Sequence, residues 1–288
     1  MAASHHVLLI GGHGKVAQLL TPLLLKRSWT VTSMIRTKEQ APAIEKLGSG
    51  LPGKLHVLVS SVDEVSTQER AAAILNNVKP DYVAWSAGTP RQIRRLGAIA
   101  KAVTDLKQVP AAKAAPKWHT FKVDRDAAVN FIRAAADIPS IRRFLLVSYG
   151  GSRRAGASWW PEGEWDDYNK KVNHGVLATY YKAKIAADEV LYETSKKSST
   201  LVGICLRPAT LTEEPAGKVE LGKTAHVNGK VSRATVAATA DALLAADGVR
   251  NTWLDLQDGT EDLDAAVKRC IRDGVDAAEG EEIFHSRI

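Results

Sequence analysis

An unbroken apolar run, Val7-Leu-Leu-Ile10, gives way to Gly11-Gly-His-Gly14, and apolar residues at helical spacing follow from Lys15. The run reads as a strand buried on both faces. A glycine turn between such a strand and a helix lets the backbone bend tightly and approach a ligand without a Cβ in the way. The helix start that follows presents N–H groups to a phosphate. The spacing G-x-x-G-x-x-A places Gly11, Gly14 and Ala17 at the turn, at the helix start and against the strand. A plain strand–helix turn also uses glycine. The order strand, turn, helix within the first residues favours a dinucleotide site.

The rest of the chain repeats the alternation. Strands are expected at 30–35, 55–59, 82–86, 143–147, 201–206 and 252–256. Helices are expected at 14–27, 38–47, 64–78, 123–136, 176–191, 234–246 and 263–272. Pro22 should kink the first helix or shift its register. Consecutive strand–helix crossovers imply a parallel sheet, so the expected class is α/β, a Rossmann-type doubly wound sheet. No repeat or linker divides residues 1–288, which are expected to form a single domain. A small substrate lobe is expected from about 152–175 and 209–232.

Hydrophobic residues make up 45% of the 288 and charged residues 25%, an ordinary globular balance that argues against a disordered chain. No apolar run approaches the roughly 18 residues of a membrane span, and no secretory leader is evident. Cys205 and Cys270 are expected as packed thiols in a reducing compartment, which suggests the cytoplasm. Ser286-Arg-Ile288 loosely matches a peroxisomal tripeptide. Part of the net charge of +7 is local, because 91–117 carries Arg91, Arg94, Arg95, Lys101, Lys107, Lys113 and Lys117 against Asp105 alone. That stretch is a solvated excursion or an attractor for an anionic ligand. Nothing resembles a base-stacking platform, so no nucleic-acid partner is expected. The partner expected is a small molecule. The oligomeric state is left open.

Arg36 closes the second strand, where an acid would bind a ribose 2′-hydroxyl and an arginine accommodates a 2′-phosphate. It reads either as that phosphate contact, favouring NADP(H) over NAD(H), or as a strand cap. Asp63 stands where it could reach an adenine edge or cap a helix. Tyr180 and Lys184 share a helix face, where the lysine would lower the phenol's pKa and make it an acid/base, while Tyr181 offers a second register. A pair at this spacing is also ordinary on any helix. Ser148, at the end of the fifth strand, could bind the substrate oxygen. Trp159, Trp160 and Trp165 form either a wall over the reacting site or simple packing. His119 and His174 lack metal-ligand spacing, so no metal is expected.

These residues, with Ser86-Ala-Gly88, Phe144-Leu-Leu-Val-Ser148, Tyr180-Tyr-Lys-Ala-Lys184, Arg207-Pro208 and Ser232-Arg-Ala-Thr-Val236, resemble the short-chain dehydrogenase/reductase superfamily. The likeness is to its atypical and extended branches, the NmrA-like and epimerase-like NAD(P)-binding proteins. It implies that Gly11, Gly12, His13, Gly14, Lys15 and Val16 cradle a pyrophosphate and that Ala87 and Gly88 pass beneath the adenosine. It implies that Pro208 borders the nicotinamide and that Lys184 binds its ribose. Ser148, Tyr180 and Lys184 would form a Ser–Tyr–Lys set acting on a small carbonyl or alcohol. Asp124 replaces an asparagine common in active relatives, and the stretch between Ser148 and Tyr180 is longer than in the compact branch. Some members bind the cofactor without turnover, so the resemblance also admits a redox sensor, or an epimerase or dehydratase.

Overall fold

Strand β1 (His6–Ile10) is flanked on both sides, by β2 (Thr30–Ile35) and β4 (Tyr82–Trp85), each in parallel register. Val7, Leu8, Leu9 and Ile10 are all 0% exposed, which is why the run carries no alternation. The sheet continues through β3 (Lys54–Val59), β5 (Arg143–Val147), β6 (Val202–Pro208), β8 (Val219–Gly222) and β10 (Thr252–Asp258), in the order β3-β2-β1-β4-β5-β6-β10-β8. Only β8 pairs antiparallel among these contacts, against β10. A parallel pair, β7 (Thr210–Thr212) and β9 (Lys230–Ser232), stands apart. This computed structural model describes residues 4–88 and 117–286, without the side chains of 117 and 118. The basic excursion and the last two residues lie outside the described residues.

Two helical layers cover the sheet. Helices α1 (Lys15–Lys26), α5 (Arg233–Ala245) and α6 (Leu263–Arg272) close one face over Val7, Leu9, Leu145, Ile204 and Leu254. Helices α2 (Gln68–Val78), α3 (Ala128–Ala136) and α4 (Ala178–Lys197) close the other over Leu8, Ile10, Phe144, Leu146 and Trp253. Successive strand residues point to opposite faces, so each strand feeds both cores. The expected Rossmann-type α/β class is what the chain forms. Both cysteines are buried and free. Among the described residues no helix is long and apolar enough to cross a membrane.

Several boundaries differ from the sequence reading. Helix α1 runs through Pro22 as one element. The helix expected at 38–47 is broken into Lys38–Gln40, Ala41–Glu45 and Lys46–Gly48, with Pro42 in the first turn of the middle piece. The helix expected from 64 begins at Gln68, where Thr67 accepts a hydrogen bond from the Arg70 N–H and caps it. Asp63 therefore does not cap that helix and lies in the short turn Val62–Glu64. Strands β7, β8 and β9 go beyond the sequence reading, since each has only three or four residues and none is an unbroken apolar run like β4.

The glycines after β1 are required by close approach. Gly11 has φ +83, and a Cβ there would stand 2.6 Å from the Ala87 backbone. At Gly12 a Cβ would meet the Ser33 hydroxyl at 1.8 Å. Neighbouring strands thus press on the turn from both sides. Gly11→Ala is expected to cost about 1–3 kcal/mol through strain and forced displacement, seen as a lower urea midpoint with an unchanged m-value.

Candidate active site

The C-terminal ends of the parallel strands gather the expected residues along one edge of the sheet, as the topology requires for a doubly wound fold. Gly11 to Gly14 follow β1, Arg36 follows β2, Ala87 and Gly88 follow β4, Ser148 follows β5, and Pro208 ends β6. Helix α1 begins after Gly14, and among the described residues no side chain caps it and no acid occupies its first turn. That leaves its positive end available to an anion. His13 is exposed, and its carbonyl accepts from Gln18 at 2.7 Å. Val16 is buried beneath the turn. The Lys15 ammonium reaches across to Glu213 at 2.5 Å, and Arg233 meets the same carboxylate at 2.9 Å. Arg36 stands 3.9 Å from Asp63, whose carboxylate also faces His119 at 3.4 Å. A bare helix start, a glycine turn and a half-exposed arginine at the next strand end suit a dinucleotide phosphate. The chain's own residues therefore fit an NAD(P) cofactor.

Ser148, Tyr180 and Lys184 meet around the end of β5, but their partners differ from the expected set. The Ser148 hydroxyl donates to Asp188 Oδ2 at 2.6 Å. The Lys184 ammonium donates to the Val147 carbonyl at 2.9 Å. Tyr180 is buried with its ring 5.4 Å from that of Tyr149. Burial pushes its phenol well above the ordinary range, and Asp124 and Asp188 push in the same direction. The expected lowering by Lys184 is thus overcome. Tyr181 donates to the Arg153 carbonyl at 3.0 Å, which commits its hydroxyl to the wall of the site. Asp188 belongs to the stretch Ala187-Asp-Glu189 that shares in the family likeness, but the sequence reading gives it no role. The signal was its place one turn after Lys184, among apolar neighbours of α4.

The tryptophan-rich segment is anchored. The indoles of Trp159 and Trp160 both donate to the Thr224 carbonyl, at 3.1 and 2.8 Å. Glu164 accepts from the backbone N–H groups of Val227 and Asn228. Within the 158–168 stretch a helical turn forms at Glu164–Tyr168. The fully buried Arg153 guanidinium lies 5.4 and 5.0 Å from the Trp159 and Trp160 rings and 3.3 Å from Glu281. Arg207, also fully buried, sits 4.4 Å over Trp253, donates to the Gly150 carbonyl at 2.8 Å and stands 3.1 Å from Asp255. Asn173 accepts from the Tyr149 hydroxyl and donates to the Gly151 carbonyl, fastening the loop after Ser148. Among the described residues, no cluster of three or more ligating side chains could hold a metal.

Comparison with known proteins agrees with this arrangement. An NAD(P)H-binding family matches residues 11–247. The chain is 27% identical over 266 residues to the uncharacterized sugar epimerase YhfK of Bacillus subtilis, covering 91% of this chain and 99% of that one. It is 29% identical over 232 residues to the UPF0659 protein C216.03 of Schizosaccharomyces pombe, covering 80% of each. A putative NAD-dependent epimerase/dehydratase from Bacillus halodurans superposes with a TM-score of 0.64 at 21% identity, over 92% of this chain and all of that one. ChuY, an anaerobillin reductase from Escherichia coli O157:H7, does so at 0.60 and 21%, over 88% and 97%. At such identities the superpositions speak for the fold.

Burial lifts the Asp255 carboxyl from 3.8 to about 6, against the pull of Arg207 and Arg153. A carboxyl whose folded pKa is raised binds its proton more tightly when folded. Its contribution is present at low pH and is lost as pH climbs from about 4 to about 6. Asp255→Asn is expected to remove about 3 kcal/mol of that decline, measured as a flatter pH dependence of urea stability than in the unmodified protein.

Proposed function

The chain belongs to the NAD(P)H-binding family, and from that premise we propose that it is an NADP(H)-dependent oxidoreductase of the short-chain type acting in the cytoplasm on a small carbonyl or alcohol. The observation that carries the reading is the uncapped start of α1 beside Arg36, with Ser148, Tyr180 and Lys184 on the same edge of the sheet. Gly11 to Val16 would hold the pyrophosphate through backbone N–H groups, and Arg36 would pair with a 2′-phosphate while Asp63 orients it. Ala87 and Gly88 would underlie the adenosine, and Pro208 would border the nicotinamide. When bound, the cofactor supplies the hydride. Tyr180, a buried phenol that keeps its proton, would donate to the substrate oxygen, and Lys184 would hold the ribose. The wall of Trp159 and Trp160 would exclude water.

One observation favours a second reading. Two buried carboxylates near Tyr180 oppose its ionisation, which suits a cofactor-binding sensor without turnover. The names of the relatives suggest a third, an epimerase or dehydratase, and NAD retained through purification would select it.

Tryptophan fluorescence titrations separate the cofactors. Arg36→Ala is expected to weaken NADPH binding about 10- to 100-fold, the worth of a charge-assisted contact, and to leave NADH unchanged. An unchanged NADPH-to-NADH ratio would remove Arg36 as the phosphate contact. NADPH consumption across a panel of aldehydes, quinones and hydroxyketones then tests turnover. With an accepted carbonyl, Tyr180→Phe is expected to lower kcat by at least about 100-fold with NADPH binding intact. Tight NADPH binding with no turnover of any carbonyl would favour the sensor.

A further inference from the structure

Serine carries one hydroxyl proton, and in this protein it is already committed. Ser148 Oγ lies 2.6 Å from Asp188 Oδ2, and both side chains are buried. A carboxylate only accepts, so the serine is the donor whenever Asp188 is ionised. Its remaining lone pairs are then all it can offer to anything else. We propose that Asp188 is a positioning residue that holds Ser148 as a hydrogen-bond acceptor at the C-terminal edge of β5. The consequence for the site rests on the oxidoreductase reading above, while the contact itself does not.

The surroundings allow this ionisation. From α4, Lys184 and Tyr180 face Asp188. From the loop after β5 come Tyr149 and Ser152, from β6 Cys205 and Arg207, and from β10 Asp255. Burial raises the Asp188 carboxyl, while Lys184 leads the groups that pull it down, followed by Ser148, Ser152 and Arg207. Lys184 lies one helical turn before Asp188, and its ammonium is tied to the carbonyl of Val147, the residue before Ser148. Lysine, serine and aspartate therefore form one buried unit at the end of β5.

A serine held in this way cannot polarise a substrate carbonyl. It can accept from a substrate hydroxyl or from the Tyr180 phenol. The donor to a carbonyl oxygen is then Tyr180 alone. As pH falls through the raised pKa of Asp188, the carboxyl gains a proton and Ser148 becomes free to donate. The serine's hydrogen-bond role thus switches with the aspartate's charge.

Infrared difference titration of the full chain tests this without a substrate. The unmodified protein, Ser148→Ala and Asp188→Asn are compared from pH 4 to pH 9. A carboxylate band present at pH 8 should be missing in Asp188→Asn, which identifies it. In Ser148→Ala that band should titrate at higher pH than in the unmodified protein, because the carboxylate has lost a donor. Titration at an unchanged pH in Ser148→Ala, or an Asp188 that is a neutral acid at pH 8, would overturn the proposal. Should Asp188→Asn not fold, the difference between Ser148→Ala and the unmodified protein carries the same signal. A failure of NADPH to bind would sink the oxidoreductase reading and leave the infrared result standing.

Discussion

The loop after β5 rests on two guanidinium groups that see no solvent. Arg207 holds the Gly150 carbonyl from below, and Arg153 is gripped by the Ala155, Ala277 and Glu279 carbonyls. Each faces a buried carboxylate, Asp255 or Glu281. Removing one partner of such a pair typically costs about 3–5 kcal/mol, whereas replacing both by apolar residues can be neutral. The pairs are therefore poor evidence of stability gained. What they do supply is direction. A guanidinium has a fixed fork of donors, so the carbonyls it binds must arrive at set positions. The loop carrying Ser148, the tryptophan segment and the C-terminal stretch 276–281 are thereby held in one arrangement around the site.

The cost of this arrangement is visible in Arg153, whose pKa burial lowers to about 10, the nearby Arg207 adding to the fall. Two like charges share a dry region, and Asp255 and Glu281 offset them. The aromatic rings around them help. Trp159, Trp160 and Trp253 present their faces to the two guanidinium groups at 4.4 to 5.4 Å, an arrangement that stabilises a cation with little water. The tryptophans so conspicuous in the sequence are thus bound up with buried arginines as much as with any ligand.

Most of the sheet was legible because its strands are short apolar runs between turn formers, and β2 falls on 30–35 as read. The glycine turn was legible for the same local reason. The helices read at 38–47 and 64–78 differ in the fold because capping and proline geometry decide where a helix starts: Pro42 sits in the first turn of a separate piece, and Thr67 caps the helix that follows it. The charge network was illegible for a different reason. Arg153, Arg207, Asp255 and Glu281 are far apart in the chain, and each alone looks like a surface residue. The parallel pairing of β6 with β10 sets Arg207 beside Asp255, and the packing of the C-terminal stretch against the loop after β5 sets Glu281 beside Arg153. Asp188 sits between these cases: its spacing from Lys184 was visible, but its contact with Ser148 depends on how α4 lies against β5.

That contact bears on what the site can do with a proton. Helical spacing alone suggested a lysine lowering a tyrosine's pKa. In the folded chain, Lys184 is fastened to a carbonyl at the end of β5, and Tyr180 has two buried carboxylates for company. Withdrawing a phenol from water disfavours its anion, and neighbouring negative charge disfavours it further. A phenol so placed keeps its proton at neutral pH and can give it to an oxygen that is gaining charge. It is badly placed to take a proton from an alcohol. Within the oxidoreductase reading, burial and charge therefore favour the direction in which a carbonyl is reduced, and the asymmetry comes first from the burial of Tyr180 and then from Asp124 and Asp188.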